Sequence, residues 1–283
     1  MCVGKKLNKK DLLSTNLATK KGYCTQRHGY AKFSDYESKP IKRNKSMNEE
    51  QNIQTAPNPA LNIASVSRCP SINFFNVDCM EFMKNKPDKY YDLAIVDPPY
   101  GIGEDKTKRP SRGKTQTKAH TSKDWDNEPP PIEYFRELQR VSKNQIIWGA
   151  NHFIERINKN SSCWLVWNKK TVGNTADCEL AWTSFKTAVR RFDFMWEGFW
   201  QENMKNKEQR IHPTQKPSSL YRWILKEYAK KGFKILDTHG GSFSIAKACD
   251  LEGFDLDVCE IDKEYFDNGK LSYETFKRQQ RLF

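Results

Sequence analysis

Tyr91-Asp92-Leu93-Ala94-Ile95-Val96-Asp97-Pro98-Pro99-Tyr100-Gly101 decides how the rest of this sequence is read. Four apolar residues, Leu93 to Val96, lie between polar flanks, the pattern of a short strand buried on both faces of a parallel sheet. Pro98 and Pro99 have no N–H to give a sheet ladder, so the strand stops at Asp97. Ligands of open α/β sheets sit at the carboxyl ends of the strands. Asp97 is then an acceptor at a ligand-facing edge, Pro98 offers its carbonyl and Tyr100 a ring face. An exocyclic amino group on a base could donate one hydrogen bond to each acceptor while the base stacks on Tyr100.

Outward from this stretch the chain alternates strands and helices. Ile72 to Asp78 reads as a strand followed by a helix carrying Met80, Phe82 and Met83. Ile132, Phe135, Leu138 and Val141 have helical spacing, and Gln145–Gly149 and Cys163–Trp167 read as further strands. A helix is expected over Ser218–Lys230, a strand at Phe233–Asp237, a helix around Ile245–Cys249 and a strand at Leu256–Glu260. Such alternation indicates an α/β domain with a mostly parallel sheet and helices on both faces. Residues 175–210, rich in Trp and Phe with Lys186, Arg190 and Arg191 among them, read as a β-rich excursion.

A second constellation lies near the C-terminus. Asp237-Thr238-His239-Gly240-Gly241-Ser242 forms a small-residue turn between strand and helix, and Glu260 ends the next strand, with Asp262 close behind. Turns of this kind bring backbone N–H groups close to a ligand, and an acid on the following strand holds a ribose. The full Gly-x-Gly-x-x-Gly pattern of a dinucleotide site is absent, which disfavours a nicotinamide-dependent oxidoreductase. Between the two constellations, His212-Pro213-Thr214-Gln215-Lys216-Pro217 gives a rigid, polar entry to the helix at Ser218.

Composition narrows the partners. The 283 residues carry a net charge of +13, and residues 1–46 hold twelve Lys/Arg against Asp11, Asp35 and Glu37. Residues 1–67, poor in apolar positions, read as a basic, disordered N-terminal extension, and 68–283 as the folded domain. The segment 101–131 adds a basic loop with Lys106, Lys108, Arg109, Arg112, Lys114, Lys118 and Lys123. This balance favours a polyanion such as nucleic acid. Eight scattered cysteines show no two-residue spacing, which points to a reduced compartment and to no metal site. The sequence shows neither a membrane span nor a hydrophobic leader, and a soluble, cytoplasmic protein is expected.

Taken together, Asp97-Pro98-Pro99-Tyr100, His212 to Pro217 and Leu236-Asp237 through Ser242 resemble the β-class of DNA amino methyltransferases, over about residues 70–270. The motif order is circularly permuted, with the catalytic half first. The resemblance implies a Rossmann-like methyltransferase fold, S-adenosylmethionine as cofactor and double-stranded DNA as substrate. It assigns Asp97, Pro98, Pro99 and Tyr100 to catalysis. Asp78 is assigned to the adenine ring of the cofactor, Thr214 and Lys216 to its methionine end, and Asp237, Thr238, His239, Gly240, Gly241 and Ser242 to the cofactor loop. Glu260 takes the ribose. Thr238-His239 departs from the commoner Pro-Phe. Asp at the head of the catalytic motif favours adenine N6 over cytosine N4, and regions 101–131 and 170–210 are expected to contact the target. Cytosine N4, an RNA or protein amide substrate, and a non-catalytic DNA-binding relic are the competing readings. A homodimer and a cognate restriction endonuclease are the protein partners the resemblance raises.

Overall fold

The computed structural model describes residues 69–103, 124–171, 176–197 and 200–280. The expected basic extension at 1–67 and most of the basic loop at 101–131 lie outside these residues. Ten strands and six helices follow one another as β1 (Ile72–Phe75), α1 (Cys79–Lys84), β2 (Tyr91–Val96), α2 (Ile132–Val141), β3 (Ser142–Trp148) and α3 (Ile154–Ile157). Then come β4 (Trp164–Asn168), β5 (Cys178–Thr183), β6 (Arg190–Asp193), β7 (Trp196–Glu197), β8 (Trp200–Gln201), α4 (Ser218–Tyr228), β9 (Lys234–Asp237), α5 (Ser244–Glu252), β10 (Asp255–Cys259) and α6 (Lys263–Gln280).

Eight strands form one sheet in the order β1-β10-β9-β2-β3-β5-β4-β6, and β7 and β8 make a separate antiparallel pair. From β1 to β3 every pairing is parallel. β2 lies between β9 and β3, which explains its unbroken apolar run: Leu93, Ala94, Ile95 and Val96 are all buried. Successive side chains on a strand point to opposite faces. Leu93 and Ile95 pack with Leu220, Ile224, Ile245 and Ala246 of α4 and α5. Ala94 and Val96 pack with Phe82 and Met83 of α1 and with Tyr134, Phe135 and Leu138 of α2. Helices therefore cover both faces, the Rossmann-like three-layer arrangement. Among the described residues no helix is long and apolar enough to cross a membrane.

Several boundaries differ from those read off the sequence. β1 ends at Phe75 because Asp78 turns to cap α1, its Oδ1 accepting from the N–H groups of Met80 (2.8 Å) and Glu81 (3.1 Å). β3 begins three residues early, at polar Ser142, since its backbone pairs with β2 from Tyr91 onward. Residues 175–210 are less an excursion than expected. β5 inserts antiparallel between β3 and β4, and β6 pairs parallel with β4 at the sheet edge. Only β7 and β8 stand apart from the main sheet.

The strand order places the site. From β2 the chain passes through α2 to β3 on one side, and from β9 through α5 to β10 on the other. The two connections diverge between β2 and β9, and a crevice opens at the carboxyl ends of such a strand pair.

Candidate active site

Both constellations meet in that crevice. Asp97 follows β2, Asp237 ends β9, and Glu260 follows β10. A smaller cavity of about 110 Å³ is lined by Asp97, Pro99, Thr214, Lys216, His239, Gly240, Gly241, Ser242 and Glu260, with Trp125, His212, Asp262 and Tyr265. A larger cleft of about 750 Å³ adjoins it and shares Asp97, Pro99, Trp125, Thr214, Gln215 and Lys216. Pro98, Tyr100, His152, Trp167, Lys169, Glu179, Trp196 and Arg210 line the larger cleft alone.

The turn Asp97–Tyr100 is held from several directions. Asp126 Oδ1 accepts from the N–H groups of Tyr100 (2.7 Å) and Gly101 (2.9 Å). Gly149, at φ +68°, lies so close beneath Tyr100 that a Cβ there would come within 2.0 Å of its ring. The Tyr100 ring also stacks on His152, with centroids 5.2 Å apart and planes inclined by 15°. Its hydroxyl donates to Asp97 Oδ1 at 2.7 Å.

Lys216 sits at the centre of the site. Its ammonium donates to Asp97 Oδ2 (2.6 Å), Tyr100 Oη (3.0 Å) and Glu179 Oε2 (2.9 Å). Glu179 in turn pairs with Lys169. Burial pushes the Asp97 carboxyl up from its ordinary value against the pull of Lys216, and Glu179 adds to the rise. Burial acts upward on Glu179 too, but Lys216 and Lys169 outweigh it and hold its pKa at about 2. Burial disfavours a charged Lys216, yet the two carboxylates prevail and raise its pKa. The site thus sets two carboxylates, Asp97 and Glu179, against two amino groups, Lys169 and Lys216.

The cofactor-loop residues divide into lining and support. His239, Gly240, Gly241 and Ser242 face the smaller cavity, whereas Asp237 and Thr238 are buried outside its lining. Asp237 Oδ1 accepts from His239 N (2.9 Å), and burial pushes its pKa to about 8. Thr238 Oγ1 meets Tyr134 Oη at 2.6 Å and His239 Nδ1 at 2.9 Å. Burial pushes the His239 pKa down to about 4, so the ring is neutral near pH 7 and presents an aromatic surface where the commoner motif has Phe. Glu260 Oε2 accepts from Gly241 N (2.8 Å) and its Oε1 from Asp262 N (2.9 Å), tying the glycine turn to β10. Gly240 is required because the buried Phe243 ring presses against it: a Cβ would come within 2.2 Å. Asp78, assigned to the cofactor's adenine, is outside the lining of both cavities and caps α1.

Sequence reasoning missed Trp125, Asp126, Lys169, Glu179 and Tyr265. Glu179 left a trace, as the one acid within the otherwise uncharged strand Cys178–Thr183. Among the described residues no group of three or more His, Cys, Asp or Glu is placed to hold a metal ion. The donor set of the smaller cavity instead suits a cationic nucleoside. Asp97, Glu260 and Asp262 are acidic, and Lys216, committed to two carboxylates, is the one Lys or Arg among the lining residues. A sulfonium bearing a ribose fits these charges, while a pyrophosphate would meet repulsion.

Residues 144–271 match the family model of the N6/N4 class described as DNA methylase. Over that segment, which runs from β3 into α6, the chain is similar to this class of DNA amino methyltransferases. Type II methyltransferase M.HinfI of Haemophilus influenzae is 24% identical over 235 residues, covering 67% of this chain and 65% of that protein. Type II methyltransferase M.HpaI of Haemophilus parainfluenzae is 23% identical over 232 residues, 68% of this chain and 71% of that protein. The chain thus spans just under two thirds of the length of the first relative. Among solved structures, the M1.HpyAVI–SAM complex aligns over 71% of this chain and 98% of its own, at 19% identity and a TM-score of 0.45. The cytosine-N4-specific PvuII DNA methyltransferase aligns over 72% and 86%, at 11% identity and a TM-score of 0.49. The family match begins after Asp97–Tyr100, so the roles of those residues rest on their own geometry.

Proposed function

We propose that the chain is a site-specific DNA methyltransferase that transfers a methyl group from S-adenosylmethionine to adenine N6. One observation carries this reading. The acceptor side chain Asp97, the Pro98 residue and the Tyr100 ring line a cleft continuous with the acidic, glycine-edged cavity after β9. The two cavities share Asp97, Thr214 and Lys216, which supports a reading in which the two reactants lie side by side.

The cofactor supplies an electrophilic methyl group on a sulfonium. The amino group of a paired base is inaccessible, so the target adenine leaves the duplex and enters the larger cleft, where it stacks on Tyr100. Asp97 accepts one amino hydrogen and the Pro98 carbonyl the other, which directs the nitrogen lone pair toward the smaller cavity. Ionisation of Asp97 is essential to this step, and Lys216 favours it against the cost of burial. Positioning of the two reactants supplies most of the acceleration. Among the cofactor-loop residues, Glu260 takes the ribose hydroxyls, and His239 with Gly240 to Ser242 packs against the nucleoside. Asp at the head of the motif, which the resemblance associates with adenine, favours adenine over cytosine.

The test is incubation with labelled S-adenosylmethionine and unmethylated genomic DNA, followed by mass spectrometry of the nucleosides. N6-methyladenine is expected. N4-methylcytosine would correct the base and keep the site, and an unmodified digest from protein that binds the cofactor would overturn the reading.

A further inference from the structure

Lys216 occupies the ground that the target amino group needs. Its ammonium has three N–H bonds and three acceptors around it, Asp97 Oδ2, Glu179 Oε2 and Tyr100 Oη, all within 3.0 Å. Asp97 Oδ1 is engaged by the Tyr100 hydroxyl. An incoming amino group must therefore compete with a cation for the Asp97 carboxylate. Glu179 is placed to resolve this competition. It stands on β5, a strand away from the catalytic turn, and its side chain lines the larger cleft at 20% exposure against 3% for Lys216. Lys169, on the far side, neutralises the second carboxylate.

We propose that Glu179 is a positioning residue that receives Lys216 when the target base arrives. The ammonium gives up Asp97 Oδ2 to the amino group and keeps two acceptors, Glu179 and Tyr100 Oη. Asp97 thereby loses a fully charged partner only at the moment a neutral donor replaces it, and the ammonium stays paired within the cleft throughout. Without Glu179 the lysine would keep a single carboxylate, Asp97, and would hold it against the substrate. This handover deepens the methyltransferase reading and rests on it.

The variants Glu179→Gln, Glu179→Asp, Lys216→Met and the double variant Glu179→Gln/Lys216→Met test it. Methyl transfer to unmethylated genomic DNA is measured under single-turnover conditions, beside cofactor affinity by calorimetry and thermal melting. Glu179→Gln is expected to slow transfer by roughly 10- to 100-fold, the scale of one charge-assisted hydrogen bond. Its cofactor affinity should stay near that of the wild type. Glu179→Asp should fall between the two. Lys216→Met is itself expected to slow transfer, because it removes the cation that favours an ionised Asp97. The deciding result is the double variant: Glu179 acts only through Lys216, so the double variant should be no slower than Lys216→Met, and the two single losses should not multiply. A double variant clearly slower than Lys216→Met, or a Glu179→Gln enzyme as fast as the wild type, would overturn the handover. A wild type that binds the cofactor and methylates no base would overturn the functional reading itself, and the handover with it.

Discussion

Replacing Gly149 by Ala probes the whole catalytic turn with one methyl group. Gly149 has φ +68°, a conformation that costs a residue with a Cβ about 1–2 kcal/mol. The added Cβ would also lie 2.0, 2.3 and 2.4 Å from Cε1, Cδ1 and Cζ of Tyr100. Carbon atoms pack at about 3.5–4.0 Å, so the ring must retreat by on the order of 1.5 Å. Its hydroxyl now sits 2.7 Å from Asp97 and 3.0 Å from Lys216, and neither contact survives such a shift. Misplacement of about 1 Å at a reacting centre costs about 100-fold, and transfer by Gly149→Ala should fall by at least that much. Gly149 does not line the smaller cavity, so cofactor affinity should hold. Gly232→Ala supplies the control: its φ is +86°, with no atom within 4 Å of the added Cβ. It should lower the melting temperature by roughly 2–4 °C per kcal/mol of strain and leave transfer untouched. Single-turnover transfer and melting curves for the two variants decide the matter. Equal activities would refute the claim that the Tyr100 ring is held in place by what lies beneath it.

Three further outcomes follow from the site. Asp97→Asn should lower transfer by at least about 100-fold, since an amide cannot offer the carboxylate's charge to the target amino hydrogens, while the cofactor still binds by calorimetry. Gly240→Ala drives a Cβ to 2.2 Å from the fully buried Phe243 ring; overpacking of this kind costs about 1–3 kcal/mol and should weaken cofactor binding by roughly tenfold or more in the same titration. Asp237 gives a pH signature. Its pKa is about 8 in the folded chain against 3.8 for a free side chain, so between these values the folded state holds a proton that the unfolded state has released. Stability from this group is present at low pH and is lost as pH rises toward 8. Asp237→Asn, which keeps an acceptor for His239 N, should remove that slope, so its melting temperature should gain on the wild type between pH 5 and pH 9. Parallel melting curves for the two proteins would contradict the assignment.

How much of this was legible in the sequence depended on how local the cause was. β2 and α2 were readable because each carries its own burial pattern: Leu93 to Val96 in an unbroken run, and Ile132, Phe135, Leu138 and Val141 at helical spacing. The glycine turn was readable because Gly240 lies against the Phe243 ring, where a Cβ would not fit, and Gly241 takes a positive φ of +52°. The start of β3 was not, since Ser142 to Asn144 are polar and extend only because Tyr91 and Leu93 of β2 pair with them. Nor was the place of β5, whose antiparallel insertion follows from long-range pairing with β3. Lys216 was assigned to the cofactor, yet its ammonium reaches Asp97, 119 positions earlier, and no spacing within His212 to Pro217 encodes that contact. Lys169 was invisible for the same reason, and Glu179, though the one acid of its strand, showed no partner. A strand acid reads as surface until the facing lysines are known.

The permuted motif order has a physical basis in the sheet. β2 and β9 are separated by more than a hundred residues and are hydrogen-bonded neighbours, with Leu93 opposite Ile235 and Ala94 opposite Leu236. The crevice depends on their adjacency and on their connections leaving in opposite directions, to β3 and to β10. Neither condition depends on which strand comes first in the chain. The turn after β2 and the turn after β9 can exchange their order without moving relative to each other, provided that the segment joining the halves returns to the right place. Here His212 to Pro217 belongs to that segment. Trp196 Nε1 donates to Gln215 O at 2.8 Å, Gln215 Oε1 accepts from Ile211 N at 2.9 Å, and Glu208 holds the first N–H of α4. The connector is therefore pinned on both sides of Lys216, which is what allows a long, flexible side chain to be delivered to Asp97 while only 3% of it is exposed. A linker left loose at this point would join the same two halves and leave the carboxylate at the end of β2 buried without its cation, a state that costs about 3–5 kcal/mol.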